Sequence, residues 1–381
     1  MIRVLHVVVA GDIGGAERLL VDLASRPTES GAEHTVALMT PNPRLADMFS
    51  NAGLRLRDRG RVRENPLAYL WRSLGPSDVA WLEGILHDER ADMAHLHTFG
   101  SHVVGARAAI RAGVPFLRTE HHVEYFVDPS CSAFTRWSLA RAKASVAVSQ
   151  YVSDFISRIA PASSNVIHVV RNGVDADHFA PRPRVGREDA ESGRPFKFAV
   201  VCRLEPWKGV GLAIEALELM PDAHLDIVGE GSERARLEAD VSARGLNSRV
   251  KFLGYCSDPR DAVDAADAIV SGSRDEPLGL SVLEALAMAR PVVAFASGGI
   301  PEIVQDGETG WLVQERSAAA LARGMADAAS DRARACAYGE AGRLFVEKRC
   351  RIEAMCEGYR EIYENVLSGT PPSPTVEDNG P

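Results

Sequence analysis

Short apolar runs alternate along the first half of the chain with longer segments whose apolar residues recur at helical spacing. The runs at residues 4–9, 34–39, 93–97, 116–119, 146–148 and 166–169 predict buried strands. The patterns between them, at 16–24, 100–111 and 134–142 among others, predict helices. This β-α-β alternation is typical of a doubly wound parallel sheet.

The same alternation begins again after a polar, proline-containing segment at residues 181–195, which we interpret as a linker. Beyond it, strands are predicted at 198–201, 224–228, 250–253, 268–270 and 291–295. The chain is therefore predicted to be an α/β protein with two Rossmann-like domains, residues 1–180 and 196–346, facing each other across a cleft. Ligands of such sheets bind outside the carboxyl ends of the strands, and domain interfaces are common pocket sites.

The last part of the chain carries one further helical pattern, over residues 347–367. Residues 368–381 contain four prolines and few apolar residues, which predicts a disordered tail. No apolar run reaches the length of a membrane span. The N-terminal run ends in Gly-Asp without a cleavage site and predicts a first strand rather than a signal peptide.

Charge and cysteine usage narrow the possible functions. The 381 residues include 43 Lys and Arg and 52 Asp and Glu, and the net charge of −9 argues against a nucleic-acid-binding protein. The six cysteines form no C-x-x-C pair and have no histidines at zinc spacing. We therefore expect free thiols, a cytoplasmic environment and no metal site.

A glycine pair, Gly14 and Gly15, follows the first predicted strand and opens a helix. Glycines at such a turn expose backbone N–H groups that can bind an anion or a hydroxyl. The segment is neither a Walker A loop nor G-x-G-x-x-G, and an ordinary tight turn is the alternative.

Two cations follow the first strand of the second half. Arg203 and Lys208 lie five residues apart just past the strand end, where both could converge on a diphosphate. Two solvated side chains without a role are the alternative interpretation.

Two carboxylates flank the predicted start of a helix further along. Glu276 lies in the loop before it and Glu284 on its second turn, while Gly279 and Leu280 supply N–H groups at its N-terminus. A glycosidase-like acid and nucleophile pair is one use of two carboxylates. A helix N-terminus between them is better suited to an anionic leaving group.

Histidines end two strands of the first half. His95 and His97 alternate and so share a face of the sheet, and His121 and His122 follow the next strand. A metal site at this edge is conceivable but lacks a defined ligand set. Packed or solvated histidines are the other interpretation.

Arginine stands at every second position from Arg55 to Arg63. On an extended strand these side chains would form a basic stripe in an acidic protein. The stripe suggests contact with a phosphorylated or membrane-bound acceptor and a peripheral place at the inner face of a membrane. A solvated, partly paired loop is the alternative.

Together these motifs resemble the family 4 retaining glycosyltransferases of the GT-B fold. The resemblance rests on Glu276-x7-Glu284 with Gly279, the Arg203…Lys208 pair and the Gly14-Gly15-Ala16-Glu17-Arg18 loop. Smaller marks agree, among them Ile227-Val228-Gly229-Glu230-Gly231 and Gly298-Gly299-Ile300-Pro301-Glu302. The resemblance extends to about residue 367 and is looser in the first half. Cys202 departs from it, because the family has glycine there, and its thiol is expected to narrow the approach to the diphosphate.

The resemblance implies a role for each motif. Arg203 and Lys208 would bind the donor diphosphate, Glu276 the sugar hydroxyls and Glu284 the ribose. His121, with His122 as the alternative, would face the substrates as a catalytic group. The remaining implied positions are, on the donor side, Gly229, Tyr255, Cys256, Leu278, Gly279 and Leu280, and on the acceptor side Gly14, Gly15, His97 and His122. The closing helix is expected to pack on the first domain.

The expected reaction is a metal-independent, retaining transfer of a sugar from a nucleotide-diphosphate sugar to a hydroxyl acceptor. No cofactor is expected, because no convincing Asp-x-Asp motif stands at a strand end; Asp175-Ala176-Asp177 precedes the linker. The cations and a helix N-terminus can stabilise the leaving group instead. A nucleotide-sugar epimerase and a non-catalytic nucleotide-sugar binding protein are the alternatives.

Overall fold

The computed structural model describes residues 1–11, 13–60, 75–182 and 194–370 of the chain. Contacts divide the chain into two compact units. Unit 1 comprises Met1–Asn172 together with the segment that begins at Ile352, and unit 2 comprises Gly173–Arg351. Each unit is built on one parallel sheet, which confirms the predicted α/β class.

The sheet of unit 1 has seven strands in the order β3-β2-β1-β4-β5-β6-β7, and every neighbouring pair is parallel. The strand order reverses between β1 and β4, as in doubly wound sheets. The strands are β1 (Ile2–Val8), β2 (Ala32–Leu38), β3 (Arg55–Asp58), β4 (Met93–Leu96), β5 (Phe116–Glu120), β6 (Ala144–Ala147) and β7 (Ile167–Val169).

Helices join these strands and cover the sheet. Two of them begin at side-chain caps: Asn42 accepts hydrogen bonds from the first turn of α3 (Pro43–Asn51), and Ser149 accepts one from Val152 at the start of α8 (Gln150–Ile159). The helices are α1 (Gly15–Ala24), α2 (Pro27–Ser30), α3 (Pro43–Asn51), α4 (Ser77–Asp88), α5 (Phe99–Ala112), α6 (Glu124–Val127), α7 (Ser132–Leu139) and α8 (Gln150–Ile159).

The sheet of unit 2 has six parallel strands in the order β10-β9-β8-β11-β12-β13, and its order reverses between β8 and β11. Its strands are β8 (Phe196–Val201), β9 (Ala223–Val228), β10 (Val250–Gly254), β11 (Ala268–Ser271), β12 (Val292–Phe295) and β13 (Gly310–Val313). Its helices are α9 (Val210–Glu218), α10 (Arg234–Ala243), α11 (Arg260–Ala265), α12 (Leu280–Ala287), α13 (Ala318–Ser330) and α14 (Arg332–Arg349). The short edge strand β13 has no counterpart in the sequence prediction.

The helix expected at residues 347–367 is two helices. Helix α14 ends at Arg349, and α15 (Ile352–Ser368) follows. The break arises because the carbonyl of Cys350 accepts a hydrogen bond from the N–H of Val174 at 2.9 Å, and Arg351 forms a β-bridge with Val174. Helix α15 packs on the sheet of unit 1, where Tyr359 and Tyr363 are fully buried.

The first segment of unit 1 ends at Asn172, earlier than the predicted domain boundary at residue 180. The difference has a packing cause, because Val174 and Ala176 are buried in the same apolar cluster as Ala199 of β8. The predicted linker lies mostly outside the described residues, as do residues 371–381 of the predicted tail. None of the described helices combines the length and the apolar character that crossing a bilayer requires.

Candidate active site

In unit 2, the loops after β8 and β11 come together because these two strands are neighbours at the reversal point of the sheet. The approach is close: a Cβ added at Gly209 would lie 2.1 Å from the carbonyl oxygen of Gly272. Gly209 also has a φ of +64°, a backbone conformation that favours glycine. The two loops therefore carry their side chains to one place at the carboxyl edge of the sheet, where ligands of such sheets bind.

Lys208 and Glu276, one from each loop, form an ion pair. Lys208 Nζ donates to Glu276 Oε2 at 2.6 Å, and both side chains are largely buried, at 13% and 11% exposure. Lys208 Nζ also lies 3.9 Å from the ring centroid of Trp207, a cation–π contact. The ammonium is thereby held in place from two sides.

Arg203 lies at the rim of the same site. Its side chain is exposed, and within the described part of the chain its guanidinium makes no hydrogen bond or ion pair. The preceding Cys202 is close enough that the charges of Lys208, Glu276 and Arg203 act on its thiol, although burial is the largest effect and raises the pKa of Cys202 to about 12. The thiol is therefore protonated at neutral pH.

The backbone of this loop is fixed by Gly229. A Cβ at Gly229 would lie 1.8 Å from the carbonyl oxygen of Cys202, so only glycine lets the ends of β8 and β9 approach so closely. The structure thus gives Gly229, predicted on the donor side, a part in positioning the Arg203 loop.

Gly279, with a φ of +101°, is the N-cap residue of helix α12. The N–H groups of Gly279 and Leu280 make no hydrogen bond among the residues that the structure describes, and they precede the first intrahelical bonds. Glu284 lies on the same helix and is buried, as is Glu276 just before it. The helix N-terminus and the Lys208–Glu276 pair therefore belong to one site.

Three further residues predicted on the donor side differ in which of their groups could contact a ligand. Tyr255 is half exposed after β10, and Cys256 Sγ donates to the carbonyl of Asp258 at 2.8 Å. The side chain of Leu278 is buried in the apolar core of unit 2. Only the backbone of Leu278 remains for a ligand.

In unit 1, the glycine pair begins α1. Gly14 is the N-cap residue in an extended conformation, and its N–H donates to Oε2 of Glu17 at 2.8 Å. Glu17 is itself buried. This acidic residue of the motif therefore caps the helix, and Gly15 is its first helical residue.

The predicted histidines lie at the carboxyl edge of the same sheet. His121 and His97 are buried, and His121 Nε2 lies 3.5 Å from His97 Nδ1. His122 is partly exposed, with Nδ1 3.8 Å from a carboxylate oxygen of Glu124. Both ring nitrogens of His97 are engaged, so His121 and His122 are the better placed to meet a ligand.

Sequence reasoning missed two histidines behind this edge, His6 and His34. His6 Nδ1 lies 2.8 Å from His97 Nε2, and His6 Nε2 lies 2.7 Å from His34 Nδ1. Their only sequence signal is an ionisable residue in an apolar strand. Burial lowers the pKa of His97 to about 3 and that of His34 to about 4, and it also holds the pKa of His6 and of His95 well below the usual histidine value. These side chains are therefore neutral at pH 7.

His6, His95 and His97 form the one group of described residues whose ligand atoms, all within 4.8 Å of one another, could hold a metal ion. Their ring nitrogens already have partners, however. His95 contacts the hydroxyl of Tyr363 at 3.0 Å and that of Thr119 at 2.7 Å. The group therefore fits a hydrogen-bonded polar core better than a metal site.

The arginines of the predicted basic stripe have partners within unit 1. Arg55 and Arg57 on β3 both pair with Glu89, and Arg59 pairs with Asp78. The two carboxylates are almost fully buried. Arg61 and Arg63 lie outside the described residues. The described part of the stripe thus has an internal structural role, and a membrane contact finds no support.

Both halves of the chain match families of known proteins. Residues 13–178 match the family described as Glycosyltransferase Family 4, and residues 184–345 match the family described as Glycosyl transferases group 1. The alpha-maltose-1-phosphate synthase of Mycolicibacterium smegmatis is 33% identical over 313 residues, 73% of this chain and 80% of the relative. The 2-deoxystreptamine glucosyltransferase of Streptomyces kanamyceticus is 30% identical over 304 residues, 73% of this chain and 78% of the relative.

Solved structures share the fold. The sucrose-phosphate synthase of Thermosynechococcus elongatus has a TM-score of 0.86 at 23% identity, covering 97% of this chain and all of that one. Anabaena HepE in complex with UDP-glucose has a TM-score of 0.81 at 24% identity, covering 96% of this chain and all of that one.

Proposed function

The chain belongs to the family 4 (group 1) glycosyltransferases of the GT-B fold, and on that premise we propose that it is a retaining, metal-independent transferase acting on a nucleotide-diphosphate sugar. The observation that carries the proposal is the convergence in unit 2 of Arg203, Lys208 and the N-terminus of α12. Two cations and N–H groups that can still donate hydrogen bonds would stabilise the negative charge of a departing diphosphate.

The donor would bind with its diphosphate on these groups. Arg203 can donate two parallel hydrogen bonds to phosphate oxygens, and Lys208 supplies a compact charge. The charge on the leaving diphosphate grows as the sugar–oxygen bond breaks, so each contact strengthens in the transition state. By comparison with single oxyanion donors, each would contribute about 3 kcal/mol.

Glu276 and Glu284 would orient the rest of the donor. The carboxylate of Glu276 is held by Lys208 but keeps lone pairs that can accept hydrogen bonds from sugar hydroxyls. Glu284, buried on α12, would accept hydrogen bonds from the ribose. Backbone near Tyr255 and Cys256 would meet the base.

In the transfer, the acceptor hydroxyl would attack the anomeric carbon on the face from which the diphosphate leaves. The bond from that carbon to the phosphate oxygen breaks as the new glycosidic bond forms. The hydroxyl proton passes to the leaving phosphate oxygen. Configuration at the anomeric carbon is thereby retained, and unit 1, with Gly14, Gly15, His121 and His122, would hold the acceptor.

A ligand screen tests the proposal. Unfolding temperature is measured with UDP-, GDP- and ADP-sugars, because a ligand that binds only the folded state raises stability by mass action. The stabilising donor is then incubated alone, with candidate hydroxyl acceptors, and with EDTA. We expect an α-linked product from an α-linked donor, formed only with acceptor and unaffected by EDTA.

Each contrary outcome has a distinct meaning. Conversion of the donor without acceptor would identify an epimerase, and an inverted product would refute retention. Complete loss with EDTA that added metal restores would refute the metal-independent account. Binding without turnover for any donor and acceptor pair would point to a binding protein.

A further inference from the structure

Four histidines of unit 1 form a diagonal across its sheet. Strands β2, β1, β4 and β5 are neighbours in that order. His34 on β2 pairs in register with Val4 on β1, two residues before His6. His6 in turn pairs with His95 on β4, two residues before His97. Each step crosses one strand and advances two residues, so the side chains stay on one face and move toward the carboxyl edge.

The last step of this diagonal reaches His121. Strand β4 pairs Leu96 with Arg118 of β5, so the continued register sets His97 level with Thr119, two residues before His121. The diagonal begins within the sheet at His34 and ends past β5. That end is the edge where ligands of parallel sheets bind.

Hydrogen bonds link the four histidines of the diagonal into one continuous series. The first member of the series is Ser30, at the end of α2. The Oγ of Ser30 lies 2.8 Å from Nε2 of His34. The contacts that follow join His34 to His6 at 2.7 Å, His6 to His97 at 2.8 Å and His97 to His121 at 3.5 Å.

Ser30 sets the direction of these hydrogen bonds. Its hydroxyl has one hydrogen, which it donates to the carbonyl oxygen of Arg26 at 2.9 Å. A carbonyl oxygen can only accept, so the Oγ of Ser30 must accept from His34, and Nε2 of His34 must carry a hydrogen.

The donor-to-acceptor direction is the same at every step of this hydrogen-bonded series, because each neutral imidazole has one nitrogen that donates a hydrogen and one that accepts through its lone pair. Once Nε2 of His34 donates, its Nδ1 accepts from Nε2 of His6, and Nδ1 of His6 accepts from Nε2 of His97. Nδ1 of His97 then faces His121 with a lone pair. A second lone pair there would be repulsive, so Nε2 of His121 carries the hydrogen and its Nδ1 does not.

The Nδ1 atom of His121 is the end of this series of hydrogen bonds, at the carboxyl edge of the unit 1 sheet. Among the residues that the structure describes, it makes no hydrogen bond, whereas Nε2 of the same ring faces His97. We propose that Ser30, His34, His6 and His97 form a positioning relay that holds His121 in its Nε2–H tautomer and presents the Nδ1 lone pair to a substrate hydroxyl. The hydroxyl belongs to a sugar substrate if the proposed function holds, and the relay itself does not depend on that function.

The relay matters because the opposite tautomer would present a hydrogen where the hydroxyl needs an acceptor. A histidine outside such a network exchanges between its two tautomers, and only one of them suits the substrate. The four relay residues act through His121 and do not themselves touch the substrate.

Nitrogen NMR of the imidazole rings in the full-length protein tests the relay, because pyrrole-type and pyridine-type nitrogens differ in chemical shift. In the wild type we expect one tautomer at His121, with hydrogen on Nε2. Ser30→Ala removes the group that sets direction, so His121 should populate both tautomers. With half of the free protein in the incompetent tautomer, the apparent affinity for the substrate would fall about twofold, so KM would rise about twofold at unchanged kcat.

Two variants complete the experiment. Ser30→Thr restores the hydroxyl and should restore the single tautomer. Ser138→Ala is the matched control, because Ser138 is also a buried serine that donates to a backbone carbonyl, that of His102 at 2.7 Å, outside the relay. It should leave the His121 signals unchanged.

Three results would overturn the relay: hydrogen on Nδ1 of His121 in the wild type, an unchanged His121 tautomer in folded Ser30→Ala, or a stoichiometric metal ion on His6, His95 and His97. The NMR readout needs no substrate. If it succeeds and no sugar is transferred, the proposed function fails alone; if transfer proceeds without a fixed tautomer, the relay fails alone.

Discussion

The Nζ atom of Lys208 lies 2.6 Å from Oε2 of Glu276, although 68 residues separate them in the chain. The contact exists because β8 and β11 are adjacent at the reversal point of the unit 2 sheet. It ties the loop that carries the cations to the loop that leads into α12. The groups proposed to bind the phosphates and the sugar are thus fixed to one another before any donor arrives.

Removing either cation is expected to slow transfer strongly. Arg203→Ala and Lys208→Ala each remove one donor to the leaving diphosphate, so turnover should fall about 10²- to 10³-fold. Initial rates at saturating donor measure the effect. Lys251→Ala, which removes an exposed cation on β10, is the control and should keep the wild-type rate. A folded Lys208→Ala variant with near-normal turnover would remove Lys208 from catalysis.

A methyl group at Gly298 should disturb Glu276. Gly298 has a φ of +62°, and its Cβ would lie 2.1 Å from the carbonyl oxygen of Glu276, which must then move. Because misplacement by about 1 Å can cost 10²-fold in rate, we expect a loss of that order in Gly298→Ala. Gly245→Ala is the matched control: φ is +70° with open space around it. Equal rates in the two variants would refute the effect.

Breaking the buried ion pair beside His121 should destabilise the protein. Arg118 and Glu120 are both fully buried, with Nε of Arg118 2.8 Å from Oε1 of Glu120. Arg118→Met leaves a buried carboxylate without its partner and should lower the free energy of unfolding by about 3–5 kcal/mol. Urea unfolding measures it. Arg323→Met, from an exposed pair with Glu315, should change stability by less than about 1 kcal/mol. Similar losses in both would contradict the prediction.

Stability should fall as the pH falls below about 6.5, the pKa of an unfolded histidine. The pKa of His34 is lowered to about 4 in the folded state, so the unfolded chain binds more protons between these two values. The free energy of unfolding then decreases by up to about 1.4 kcal/mol per pH unit for each such histidine. Urea unfolding from pH 7 to pH 5 should show a shallower decrease in His34→Asn, and an equal slope would refute this contribution.

Much of the fold follows from local patterns. The apolar runs predict most of the strands, and their alternation with helices predicts two parallel sheets. Edge strand β13 escaped because four residues, Gly310–Val313, are too short a pattern to distinguish from a loop. The break at Cys350 escaped because it depends on a hydrogen bond to the distant Val174.

The site divides in the same way. Arg203, Lys208 and Glu276 could be singled out because they follow strand ends, a position that one sequence reveals. His6 and His34 could not, since their meaning depends on the register of three strand pairs, and register is decided by the packing of the whole sheet. The ion-pair partners of the basic stripe, Glu89 and Asp78, could not be predicted from the sequence either, because Asp78 lies on α4 and Glu89 at its C-terminal end, and which strand that helix packs beside depends on the tertiary fold.

Helix α15 has a consequence for the order in which the protein can mature. Its residues Tyr359 and Tyr363 are fully buried in unit 1, and they satisfy Thr119 and His95 with hydrogen bonds. During synthesis these tyrosines leave the ribosome only after all of unit 2. The first 172 residues of unit 1 are made early, but its polar interior is complete only after α15 has been synthesised. A chain truncated before residue 352 would therefore lack the residues that complete unit 1, and we expect it to be inactive.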